Sequence, residues 1–177
     1  MRLGTSFVLA AVVTLVFGAP VSAQQQPAPP PSAGGTPEQM PFDIPYGEAI
    51  AVDRAKQVLA AAEAEARKRN WKMNIAVVDA HGELVHFVRM DGASLPAISI
   101  AQRKAVTSAR YRRDTRLFYN ALESGRLSIA TFDPTLIAAP GGYPLIENGK
   151  VVGGIGCSGG TGDQDALVCK VGVDLIK

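Results

Sequence analysis

The stretch Tyr143-Pro144-Leu145-Ile146-Glu147-Asn148-Gly149-Lys150-Val151-Val152-Gly153-Gly154-Ile155-Gly156 decides the fold. Asn-Gly between two apolar runs is the strongest short hairpin signal, because both residues enter the left-handed region that a two-residue turn needs. Residues 143–147 and 150–156 are therefore expected to pair as antiparallel strands. Beyond them Cys157-Ser158-Gly159-Gly160 turns the chain, and Thr161 or Asp163 caps a helix reaching about residue 176. A strand, a glycine turn and a helix start leave backbone N–H groups free for a carboxylate or other anion. Tight turning alone explains the same glycines.

Upstream the pattern repeats. Residues 73–79 carry Ile75, Val77 and Val78 as a β-branched centre, Ala80-His81-Gly82-Glu83 is turn chemistry, and residues 84–90 return as a second strand. Alternation puts Leu84, His86, Val88 and Met90 on one face of it, and Val85, Phe87 and Arg89 on the other. Residues 46–69 read as a long helix, with Val52, Ala55, Leu59, Ala62 and Ala66 as its apolar stripe. Residues 96–111 form the next helix, Pro96 standing in its first turn, and residues 116–123 a short one. Residues 127–139 are irregular, with a short strand expected near Leu136 and Ile137. The order helix, hairpin, two helices, hairpin, helix makes a single α+β domain with a largely antiparallel sheet flanked by helices. It excludes a doubly wound nucleotide-binding fold.

The ends bound the domain. Met1-Arg2, the apolar residues 3–17 and Val21-Ser22-Ala23 read as a secretory signal peptide, residues 1–23, cleaved after Ala23. Residues 24–41 are rich in Pro, Gln and small residues and read as a disordered tether. The globular domain occupies residues 42–177. A periplasmic or secreted protein with no membrane span after signal cleavage is expected. The formal net charge of +2 argues against a general nucleic-acid binder. Cys157 and Cys169 are the two cysteines. An oxidising compartment allows a disulfide between them, and the spacing leaves a bridge and two buried thiols equally open.

Several short motifs stand in an order that resembles the GlcG/HbpS family, also called the haem-degrading or haem-binding domain family, which includes the C-terminal domain of PduO-type proteins. They are Val77-Val78-Asp79, Gly82, Phe87-Val88-Arg89-Met90-Asp91-Gly92-Ala93, Lys104-Ala105, Gly141-Gly142-Tyr143-Pro144-Leu145, residues 151–160 and Gln164-Asp165. The likeness covers residues 50–173. It implies a profilin-like α+β domain that assembles into homo-oligomers, with haem as the expected cofactor. The chain departs from the family pattern at Cys157 and Cys169. It also lacks the Glu-x-x-Glu motifs of the family's iron-binding secreted members.

Only His81 and His86 offer an imidazole for haem iron. His86 is the candidate ligand, since it shares a strand with apolar residues that would line a flat cofactor. A half-exposed strand histidine is the plainer reading. Arg103, Arg110 and Arg113 recur at helical spacing and would hold haem propionates, or form a solvated basic face. Arg89, Lys104, Gly159 and Gly160 are the anion-binding candidates. Ser158 lacks the Gly-x-Ser-x-Gly setting of a hydrolase nucleophile. The expected function is exported haem binding. The alternatives are an enzyme or binder of a small organic acid, and an accessory subunit without a ligand.

Overall fold

The computed structural model describes residue 40 and residues 42–176. The expected signal peptide, residues 1–23, and nearly all of the 24–41 tether lie outside them. The described chain runs α1 (Val52–Lys68), β1 (Asn74–Asp79), β2 (Leu84–Arg89), α2 (Pro96–Tyr111), α3 (Arg116–Glu123), a 3-10 turn (Leu127–Thr131), β3 (Gly142–Glu147), β4 (Lys150–Ser158) and α4 (Gly162–Val173). The strands form one sheet in the order β2-β1-β4-β3, every neighbouring pair antiparallel. This is the α+β architecture expected from the two hairpins. Asn148 and Gly149 take φ of 50° and 73°, as the tight turn between β3 and β4 requires.

The two faces of the sheet are packed differently. On one face Ile75, Val77, Ile155 and Leu145 meet Val58 and Leu59 of α1 and Val168 of α4. On the other face Ala76 and Val78 meet Ala101, Ala105 and Ala109 of α2. That second layer is thin because β4 offers glycine there. A β-carbon at Gly154 or Gly156 would collide with the carbonyl oxygens of Ala105 and Ala101. Gly154 and Gly156 thus seat α2 backbone-close on the sheet.

The first helix begins later than its pattern suggests, at Val52 rather than Tyr46. Residues 45–50 instead lie along β4. Gly47 N donates to Val151 O (2.8 Å), Ile50 N to Val152 O (2.9 Å) and Val151 N to Pro45 O (2.9 Å). β1 ends at Asp79, opposite Gly153, so β4 would otherwise leave the backbone of residues 151 and 152 unpaired on that side. This strap satisfies it. Val52 is consequently exposed, and Val58 joins Ala55, Leu59, Ala62 and Ala66 in the buried stripe.

No strand forms near Leu136 and Ile137. Side chains of α2 take their backbone groups instead: Arg103 donates to Leu136 O (3.2 Å), and Thr107 Oγ1 accepts from Ile137 N (3.0 Å). Thr161 caps α4 in a reciprocal box with Gln164. Cys157 of β4 and Cys169 of α4 are joined by a disulfide, their Cα atoms 5.7 Å apart.

Candidate functional site

The β1–β2 hairpin carries both histidines. Its turn is held by Asp79, whose carboxylate accepts from the backbone N–H of His81 (2.8 Å) and of Glu83 (3.0 Å). Gly82 has φ of 93°, and a β-carbon there would sit 2.8 Å from Nε of Arg110. Glycine therefore lets the Arg110 side chain lie across the turn and donate to His81 O at 2.9 Å. The Tyr46 hydroxyl donates to the carbonyl of Arg110. The guanidinium of Arg112 lies 5.2 Å from the centre of the Tyr46 ring. These contacts tie the strap, the hairpin turn and the end of α2 together. Between them opens a cavity of about 290 Å³ lined by Tyr46, Gly47, Ala80, His81 and Arg110.

His86 is placed elsewhere. A bulge falls between Val77 and Val78, pairing Val77 with His86 and Val78 with Leu84. Cross-strand partners share a face, so half-buried His86 points with Val77 toward the α1 side. Arg103 and Arg110 project from α2, which covers the opposite face. The expected constellation of His86, Arg103, Arg110 and Arg113 therefore does not converge, because the sheet stands between its histidine and the helix carrying its arginines.

The arginines also have occupations of their own. Arg103 clamps the 134–136 loop, donating to Thr135 O (3.1 Å), Pro134 O (2.7 Å) and Leu136 O (3.2 Å). Arg113 donates to Tyr111 O (2.9 Å) and lies 3.7 Å from the Phe42 ring centre and 5.4 Å from that of Phe118. Burial and the adjacent Arg112 press its pKa down. Arg112 donates to Ile44 O (2.9 Å). Thus Arg112 and Arg113 hold the strap and the residues leading into it, and Arg110 alone of the three expected arginines borders the histidine cavity.

Three of the anion-binding candidates already hold an anion, and it is the chain's own Asp165. Lys104 Nζ donates to Asp165 Oδ2 at 2.7 Å and to Cys157 O at 3.1 Å, and Gly160 N donates to Asp165 Oδ1 at 2.9 Å. A backbone hydrogen bond from Gly159 also acts on this carboxylate. The side chains of Lys104 and Asp165 are only 2% and 4% exposed. Burial lowers the pKa of the ammonium and raises that of the carboxyl, and their mutual attraction works against both shifts. Arg89 is exposed at the end of β2. Met90 is buried in the core and Ser158 lies buried opposite Asn74. Among the described residues no group of three His, Cys, Asp or Glu side chains could hold a metal ion, and no helix is long and apolar enough to cross a membrane.

Two features escaped sequence reasoning. The Lys104–Asp165 pair spans 61 residues, and both residues stood in recognisable motifs with nothing in the spacing to link them. The His81 cavity depends on a strap that reads as helix.

The profile of a family described as "Haem degrading protein HbpS-like" matches residues 50–174. Protein GlcG of Escherichia coli strain K12 is 38% identical over 104 residues, which is 59% of this chain and 77% of GlcG. The crystal structure of a double mutant of HbpS from Streptomyces reticuli superposes with a TM-score of 0.68 at 26% identity, covering 85% of this chain and 99% of that one. The crystal structure of a PduOC–haem complex superposes with a TM-score of 0.67 at 26% identity, covering 73% and 96%.

Proposed function

Since the chain belongs to the HbpS-like family of haem-degrading proteins, we propose that it is an exported haem-binding protein whose site is the hairpin cavity beside His81. The observation that carries this reading is the juxtaposition of an imidazole, a guanidinium and an aromatic ring around one opening. It is supported by the likeness to a structure that contains haem.

The residues present fit the group. A neutral imidazole nitrogen is a common haem-iron ligand, and His81 is exposed at the cavity on a turn made rigid by Asp79. Arg110 supplies a cation for a propionate, and the Tyr46 ring an apolar surface. Bound haem would supply an iron centre for ligand binding and electron transfer. The chain's part is to orient His81 and to shield one side of the ring system. At about 290 Å³ the cavity falls just below the range of ordinary ligand sites, so one copy would cover only part of a haem. His86 is the second imidazole on the same hairpin, facing the other side of the sheet.

Titration of the purified protein with hemin should give a saturable Soret band that is lost in His81→Ala and kept in His86→Ala. A band lost only in His86→Ala would transfer the ligand to the α1 face. The absence of any saturable band would overturn haem binding. Export rests on residues 1–23. Intact mass of periplasmic material should correspond to a chain beginning at Gln24, and retention of residues 1–23 would contradict it.

A further inference from the structure

At the other end of the sheet lies a second cavity, of about 320 Å³. One wall is apolar and comes from the loop Ala138-Ala139-Pro140, with the Tyr119 ring beside it. The polar wall is the guanidinium of Arg116, at the first turn of α3, with Gly162 and Asp163 at the start of α4. The loop is fixed rather than loose. Thr115 Oγ1 donates to Ala139 O at 2.6 Å, and Thr115 N donates to Gly142 O at 3.0 Å. The cavity is therefore built from three segments that Thr115 and the start of α4 hold in register.

Arg116 is the group that decides what fits. Its only ion-pair partner among the described residues is Asp163, at 2.7 Å, and the Asp163 side chain is 84% exposed. An ion pair this exposed contributes little, so water can take Asp163 back at almost no cost. A carboxylate seated against the apolar wall would meet the same guanidinium in a bidentate, partly dehydrated geometry, which is the stronger arrangement. The other charge near Arg116 is Asp114, half-buried, whose Oδ1 accepts from the backbone N–H of Arg116 at 2.7 Å. Asp114 is thus committed to the first backbone N–H of α3, and Asp163 is the competitor that a ligand displaces.

We propose that this cavity is a binding site for a small organic carboxylate with an apolar body, in which Arg116 receives the carboxylate in place of Asp163. The site is separate from the His81 cavity. Asp79 lies opposite Gly153 at the hairpin end, whereas Asn74 lies opposite Ser158 at the end nearer α4.

Benzoate, with benzamide as its neutral counterpart, is the probe. Titrated into the full chain and followed by amide nuclear magnetic resonance, benzoate should give saturable shifts around Tyr119, Ala139 and Gly162, and benzamide should give none. Arg116→Gln should weaken benzoate roughly tenfold or more, the loss of a charge-assisted contact. Asp163→Asn, which removes the competitor, should tighten it by up to about fivefold, the worth of an exposed ion pair. Opposite signs from two surface substitutions cannot come from misfolding. His81→Ala should leave benzoate binding unchanged whether or not it abolishes hemin binding. The proposal is overturned by the absence of saturable shifts in both wild type and Asp163→Asn, by shifts indifferent to Arg116→Gln, or by displacement of benzoate when hemin is added.

Discussion

Lys104 and Asp165 would each be unfavourable alone: a long cation and a carboxylate, both almost wholly removed from water. Together, with Cys157 O and Gly160 N as further hydrogen-bond partners, they pin α2 to the first turn of α4. Truncating one partner leaves the other as a buried charge, so Lys104→Met should cost about 3–5 kcal/mol in urea unfolding. The double variant Lys104→Met with Asp165→Leu should recover much of that loss. Asp114 gives a pH-dependent case. Burial raises its carboxyl pKa, with the Arg116 hydrogen bond and charge opposing. The folded chain therefore keeps this proton at a pH where the unfolded chain has released it. Asp114 then detracts from stability above its folded pKa, and the penalty fades as pH falls toward the ordinary value of about 3.9. Asp114→Asn, whose amide oxygen can still accept from Arg116 N, should equal or exceed wild-type stability at neutral pH. It should lose any advantage near about pH 4, as urea midpoints at the two pH values would show. At this scale the sequence shows which residues can carry charge and hides which of them meet.

Elements were far more legible. The bounds of α2 and α3 follow from helical period and from Pro96. Both hairpins follow from turn chemistry and alternation. The misreadings are physical in origin. Glu48, Ala49 and Ala51 are helix-compatible although Gly47 is not, and the unpaired edge of β4 draws residues 46–50 into a strap. Residues 136 and 137 are apolar enough for a strand, yet the α2 side chains reach their backbone first. The glycines of β4 explain why α2 sits so close, and Gly156→Ala is a sharp test. Its methyl would meet backbone rather than a movable side chain, so a loss beyond the 1–3 kcal/mol of ordinary overpacking is expected in denaturant titration. The disulfide ties the end of β4 to α4 across 12 residues. Replacing both cysteines by alanine should cost about 3 kcal/mol by the loop-entropy argument, read as a lower thermal midpoint that reductant does not change further.

For the whole molecule, β2 is an outer strand of the sheet, and Leu84 on it is 53% exposed. Among the described residues no strand pairs with its outer side, and an apolar edge of this kind invites another strand or a second copy. The alanine stripe of α1 is spent inside the domain and offers no contact surface. Assembly as a homo-oligomer is therefore expected through the β2 edge. Light scattering at micromolar concentration should report a multiple of the chain mass, and a monomer mass would remove the expectation. The candidate site was the least legible part at this scale. His81 is visible as a turn histidine, but Tyr46 joins it only because the strap crosses the molecule. That strap also makes the protein instrumentable. Glu48 is exposed and stands one residue beyond Gly47, which lines the His81 cavity. The native cysteines are locked in their bridge, so Glu48→Cys would provide a single thiol for a dye. Emission from that dye would dim as a strongly absorbing porphyrin arrived, turning a stretch of backbone that merely completes a sheet edge into a built-in gauge of occupancy.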